Sequence, residues 1–502
     1  MLRQKIILSY ASKILIQFIQ VAASIVVARV AGPTVLGTVA FGLAFVSMFE
    51  FLADLGTGSA HIKLISEGQN LGKCISTFSI LKGANTCLFF IVVLGIFLIQ
   101  KYVLNVQFES TAHEYVIMIS LITVTINQLL FIPKTTFAGK IEQAKQDIPD
   151  FVKTLIYQIL RVIIVLLGYK AVALTFGNLI STVLIIPLTL YLFKDYPKDK
   201  FDRKLASKYL KISLPILVIG MSTKVINHLD RVALQYFTNS KQVGYYTAGY
   251  RIGGFVLMIA NSIALLFFPL FSGAAANGDF QYIKNIIEKF ERFSLIFIMP
   301  PVIFLSLYSD VIVKLLLGSQ YLPSISVMAI INLAMFLMVL NMPYANVITG
   351  MGFFKSAAIL NLFNLFLFIS LISIFPNPKI FNLGATGTAI TIFLSNLFIG
   401  ILYRVIAKRI CQLLDIKKCV KYIGFGIIIF FGFYFIYNYF NKFCGANFRV
   451  IFIFIYFGIT YFTLFLLGWI NKTDLHNLKE LLNMRKMRIY IKGEITGKQN
   501  EY

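Results

Sequence analysis

Long uninterrupted apolar runs, rather than alternation, organise this chain. They fall near 6–31, 35–59, 75–99, 115–137, 151–169, 171–193, 210–232, 243–270, 293–309, 322–345, 356–375, 384–404, 421–440 and 447–470. A hydrocarbon core ~30 Å thick is crossed by ~20 helical residues. A transmembrane β-strand would alternate apolar and polar positions, and these runs do not. The pattern predicts an all-α polytopic membrane protein of about 14 transmembrane helices. The runs 151–169 and 171–193 leave room only for a very tight turn. The opening MLRQKIILSYASKILIQ has no small-residue cleavage site after a short apolar core, and is expected to be a retained first span.

Composition agrees and narrows the class. Hydrophobic residues make up 58% of the 502, mean hydropathy is +0.81 and only 13% are charged, where a soluble chain carries roughly 25%. Soluble enzymes and disordered proteins are excluded. The net charge of +25 would raise nucleic acid as a partner in a soluble protein. Its distribution gives a plainer reading. The linker 194–211 holds seven Lys and Arg, whereas Lys101, Lys170, Lys241, Lys314, Lys379 and Lys442 each stand alone in alternate loops. Over the whole chain the asymmetry is about fivefold, which predicts that both termini lie in the cytoplasm. No nucleic acid is needed to explain the charge. The five cysteines show no CxxC spacing and no pairing with histidine, so neither a zinc site nor a disulfide framework is expected.

The chain also looks duplicated. AGPTVLGTVAFGLAF (31–45) aligns with NSKQVGYYTAGYRI (239–252) at an offset that places Gly37 on Gly244. The expected organisation is a six-helix lobe over 1–193, a cytoplasmic linker over 194–209 and a second six-helix lobe over 210–404. Two additional helices follow over 405–470, then a basic tail over 471–502 suited to anionic headgroups. Paired six-helix repeats are a transporter pattern, with the substrate site between the halves.

Ionisable residues inside spans mark pathways or pair with one another. Here they are Lys13, Arg29, Glu50, Asp54, Lys82, Arg161, Lys224, Asp230, Arg231 and Arg251, with His228 beside them. The spans from 253 onward look nearly free of charge until Arg449. Equal depth around Pro33 suggests a Lys13–Asp54 pair, and equal depth around Ser240 an Asp230–Arg251 pair. Glu50 and Asp54, four apart on one helical face, have a second reading as the site of a coupling proton or cation. Arg29 and Arg231 sit near helix ends, within snorkelling reach of the interface. Lys82, Arg161 and Lys224 lie deeper with no partner nearby in sequence, and point to a bound anion. Phosphate suits such a cavity, because arginine offers a planar fork of donors and lysine a compact charge. The asparagines within spans, among them Asn127, Asn178, Asn341 and Asn396, read first as interhelical hydrogen-bonding groups and second as sugar contacts.

The segments VARVAGPTVLGTVAFGLAFVSMFEFLADLGTGSA (27–60), DRVALQYFTNSKQVGYYTAGYRI (230–252), FFPLFSGAAANGD (267–279) and LLLGSQY (315–321) carry a resemblance. The chain resembles the polysaccharide transporter (Wzx-like) flippase family of the multidrug/oligosaccharidyl-lipid/polysaccharide exporter superfamily, over about 1–470. The resemblance implies two six-helix lobes around a central cavity. It also implies alternating-access translocation of a polyprenyl-(pyro)phosphate-linked oligosaccharide for cell-surface polysaccharide biosynthesis. Family members described with twelve spans lack the last two counted here, and fourteen is the pattern of the related lipid II flippases. On this reading Lys82, Arg161, Lys224, Arg231 and Arg251 hold the head group. Lys13, Glu50, Asp54 and Asp230 serve coupling or pairing. No enzyme activity, metal or cofactor is expected beyond H+ or Na+ as a coupling ion. The partners are the lipid-linked glycan, membrane lipids and the pathway's glycosyltransferases or polymerase. Two rivals are a cation-coupled multidrug exporter of the same superfamily, which needs an acidic or apolar cavity, and a membrane polysaccharide polymerase or glycosyltransferase, for which the loops are short.

Overall fold

The computed structural model describes residues 2–254, 257, 267, 270–411, 424, 432–433 and 456–463, with side chains from residue 16 onward except at 215 and 411. The runs 421–440 and 447–470 and the basic tail lie largely or wholly outside the described residues, as does Arg449.

All regular structure among the described residues is helical. The elements are α1 (Leu2–Ser47), α2 (Glu50–Asp54), α3 (Thr57–Ser66), α4 (Leu71–Leu98), α5 (Thr111–Gly139), α6 (Gln143–Leu166), α7 (Ala171–Leu184), α8 (Ile186–Phe193), α9 (Arg203–Phe237) and α10 (Ser240–Gly253). They are followed by α11 (Phe280–Phe293), α12 (Met299–Leu307), α13 (Ser309–Leu316), α14 (Ser324–Gly350), α15 (Phe354–Ile374) and α16 (Gly384–Cys411). Eight helical stretches among the described residues are long and apolar enough to cross a membrane. A ninth, within α9, bends by 54° between Leu214 and Ile216. The helix α6 fails that test because Asp150, Lys153 and Arg161 fall within its length, yet these lie on one face while Leu155, Ile159, Ile163 and Leu166 present an exposed apolar face on the other. Polar groups turned inward and apolar groups outward is the arrangement a bilayer demands around a wet interior.

The expected break between the first two spans is a single residue. Gly32, at φ 80° and ψ 170°, divides α1 into two helical arms. The next break is deeper. The run 35–59, expected as one span, is interrupted after Ser47 and again at Leu55 and Gly56, both left-handed. A Cβ on Gly56 would lie 2.7 Å from the Ser213 carbonyl oxygen of α9, so the break also permits close approach.

The two aligned segments meet in the packing. A Cβ on Gly37 would stand 1.7 Å from the Ser240 carbonyl oxygen, and one on Gly244 would stand 1.9 Å from that of Pro33. The aligned glycines therefore lie against each other's helices, where only backbone fits. Five residues on, Gly42 packs on Val116 and Ile117 of α5, and Gly249 on Val327 and Met328 of α14. Small residues let helix backbones touch where lipid supplies no hydrophobic drive between them. Near the same crossing, Glu109 accepts bonds from Ser240 N (2.7 Å), Ser240 Oγ (2.6 Å) and Gln235 Nε2 (2.8 Å), tying the loop before α5 to α9 and α10. Partial burial pushes the Glu109 carboxyl up, but these donors outweigh it and hold it below the usual carboxylate range.

Candidate functional site

A cavity of about 1120 Å³ opens between α1, α6, α7 and α10. Both arms of α1 line it, and α6 supplies Asp150, Lys153, Thr154, Tyr157, Gln158 and Arg161. These recur at helical spacing, so one face of α6 forms a polar wall. The α10 end supplies Tyr250 and Arg251.

Three cations face this space. Arg161 is buried, donates to Gln158 Oε1 at 2.7 Å and lies 5.3 Å from the centre of the Tyr157 ring. Lys153 donates to Asn127 Oδ1 at 2.6 Å. Arg251 donates to Ser24 Oγ at 3.1 Å across to α1. Their partners are neutral, and among the described residues none of the three has a carboxylate within ion-pairing distance. The acid that lines the cavity, Asp150, is held by Lys134 of α5. Cations held by neutral donors and acceptors in a low-dielectric recess keep their field for a ligand.

The other expected head-group residues are placed differently. Lys82 is fully buried away from the cavity. It lies 3.7 Å from Asp54 Oδ1, donates to Ala53 O at 2.8 Å and to Gln128 Oε1 at 2.7 Å, and stacks over Phe131. An ammonium without water needs a counter-charge, and the broken helix α2 brings it one. The expectation of an uncompensated Lys82 is thereby corrected. Asp54, expected to pair with Lys13, pairs with Lys82; the Lys13 side chain lies outside the described residues. Lys224 is likewise compensated, at 2.7 Å from Glu50 Oε2, and Glu50 also accepts from Ser47 Oγ at 2.7 Å.

The expected Asp230–Arg251 pair does not form. Asp230 instead takes the adjacent Arg231 at 3.4 Å and the Tyr246 hydroxyl of α10, while Arg251, further along α10, turns to Ser24 of α1. Arg231 packs over the Tyr250 ring and donates to Asn227 O at 3.0 Å, outside the cavity lining. Arg29 is exposed. Of the five head-group candidates, the structure brings together Arg161 and Arg251 at the cavity and places the other three in ion pairs elsewhere.

Two features escaped the sequence reading. Lys153 was passed over because it stands two residues into its apolar run, where a lysine reads as interfacial. Its spacing of eight from Arg161 on an amphipathic helix was the available signal. The second half is also less free of charge than expected, since Glu291 and Arg404 are both buried and 3.6 Å apart. Tyr344 OH donates to Glu291 at 2.7 Å, and Arg404 donates to Asn341 Oδ1 at 2.8 Å. Both charges stand at run ends, which the linear pattern assigns to loops.

Residues 26–326 match the family model described as polysaccharide biosynthesis protein. Among solved structures, the chain is similar to a lipid II flippase, MurJ, in an inward closed conformation: TM-score 0.68, 16% identity, covering 93% of this chain and 99% of that one. It is similar to a multidrug resistance MATE family transporter of the MOP superfamily, inward-facing, with TM-score 0.65, 15% identity and coverage of 79% and 94%. A third similar structure is a MOP superfamily transporter from Pyrococcus furiosus, described as having a binding pocket of reverse polarity, with TM-score 0.59, 15% identity and coverage of 82% and 96%. No curated protein sequence matches. These likenesses are to transporters and a flippase, and at such identities they show the fold. With three fifths of its length matched by one family model, the chain belongs to the polysaccharide biosynthesis protein family and has the fold of MOP-superfamily transporters.

Proposed function

We propose that this protein is a flippase that carries a polyprenyl-(pyro)phosphate-linked oligosaccharide from the inner to the outer leaflet of the cytoplasmic membrane by alternating access. The observation that carries the reading is the cavity in which Lys153, Arg161 and Arg251 stand without carboxylate partners. The phosphate enters this recess while the prenyl chain stays in lipid. Two six-helix lobes, over 1–193 and 210–404, move about the site. Both termini are cytoplasmic. Glu50 and Asp54, at the broken second span, are the coupling carboxylates for H+ or Na+. Protonating either would release Lys224 or Lys82 and loosen the contacts that α2 makes with α9 and α4.

A cation-coupled drug exporter is the second reading, supported by the likeness to MATE transporters. Such a cavity needs to be acidic or apolar for a cationic drug, whereas three cations face this one and the acid in its lining is engaged by Lys134. Arg161 decides between them. Arg161→Ala is expected to keep normal abundance yet stop export of the lipid-linked glycan. Arg161→Lys should keep part of the activity, because charge survives while the bidentate fork is lost. Normal export by a well-expressed Arg161→Ala protein would overturn the head-group assignment.

A further inference from the structure

The cavity has a second wall that the phosphate does not use. The first arm of α1 lines it with Gln17, Gln20 and Ser24. Spacings of three and four residues put all three on one face of that helix. Across the cavity α7 contributes Asn178. Among the described residues, the side-chain amides of Gln17, Gln20 and Asn178 have no hydrogen-bond partner within the protein. Most other amides of the spans are spent, Asn332 of α14 being an exception that is buried outside the cavity lining. Asn127 serves Lys153, Gln128 serves Lys82, Gln158 serves Arg161 and Asn341 serves Arg404. Asn361 and Asn396 bond backbone carbonyls one turn back. Polar groups at membrane depth are costly unless they pair or line a pathway, and these three amides line one.

Their chemistry selects a ligand. A primary amide offers two donors and an acceptor without net charge. It complements the hydroxyls of a sugar, each of which is both donor and acceptor. Lacking charge, it adds no ion pair to a phosphate, and its polarity offers nothing to an apolar drug. Arg251 joins the two walls through its bond to Ser24, and Gln20 and Gln17 lie about 6 and 10 Å further along the same helix.

We propose that Gln17 and Gln20 of α1, with Asn178 of α7, form a glycan subsite that reads sugar hydroxyls beside the phosphate subsite of Lys153, Arg161 and Arg251. The proposal rests on the flippase reading above and adds residues that select the head group. The test measures binding to the purified full-length protein in lipid nanodiscs. The probes are farnesyl diphosphate and farnesyl diphosphate bearing a glucose, galactose or N-acetylglucosamine disaccharide. The wild type is expected to bind one or more glycosylated probes more tightly than the bare diphosphate. The Gln17→Leu/Gln20→Leu variant should lose about tenfold of that affinity and bind the bare probe as the wild type does. Single Gln17→Asn and Gln20→Asn variants, which keep the amide but shorten its reach, give the same comparison if the double variant does not fold. Arg161→Gln should weaken both kinds of probe. If the glutamine variants bind glycosylated probes as the wild type does, or lose both kinds equally, the glycan subsite is wrong and the flippase reading stands. If the wild type binds neither kind of probe, the flippase reading fails and the subsite with it.

Discussion

At the scale of single residues, the difference between a binding cation and a structural one is the identity of its partner. Lys82 and Arg161 look alike along the chain, each deep in an apolar run with no acid close by. Folding separates them. Lys82 meets Asp54 and two acceptors with no exposure to solvent, whereas Arg161 meets a glutamine and a tyrosine ring at a cavity wall. Removing one member of a buried ion pair strands the other, at a cost of about 3 kcal/mol. Asp54→Asn is therefore expected to lower the thermal stability of the detergent-solubilised protein, since it strands the fully buried Lys82, and Lys82→Met to lower it less, since the stranded Asp54 is one-third exposed and reaches water. The double variant should recover part of the loss, and a double-mutant cycle measures the coupling. Strictly additive losses would show that the two residues do not stabilise each other.

At the scale of elements, the crossing at Gly37 and Gly244 sets how closely α1 and α10 meet. Either glycine replaced by alanine would drive a methyl group into a backbone carbonyl at less than 2 Å. Backbone cannot yield as a flexible side chain does, so the helices must separate. Gly244→Ala and Gly37→Ala are each expected to lose about 2 kcal/mol or more, read as reduced monodisperse yield on size-exclusion chromatography. Gly273→Ala, where an added Cβ meets nothing within 4 Å, should be tolerated. The offset between the aligned segments was legible in the sequence because both glycines sit in the same apolar setting. Their meeting face to face was not, since an alignment compares segments without placing one against the other.

At the scale of the whole molecule, the loops state their own side of the membrane. Reporters fused after Lys101, Lys241 or Lys379 should be extracytoplasmic, and those after Arg203 or Arg409 cytoplasmic; reversal at any two of these sites would refute the span order. That the protein is helical, multi-pass and apolar outside was legible because the bilayer acts on each segment separately, so hydropathy alone records it. The positive character of the interior was legible for the same reason, as a property of segments and of counts. The break of the second span at Ser47 was hidden, because an apolar run looks continuous whether or not its helix is. The assignment of charges was decided only by the tertiary structure. Lys224 finds Glu50 across 174 positions, Glu291 and Arg404 leave their expected loops to pair, and Lys153, Arg161 and Arg251 are left facing the cavity. Ion pairing depends on distance in space, and helices that are remote in sequence become neighbours only when the bundle closes.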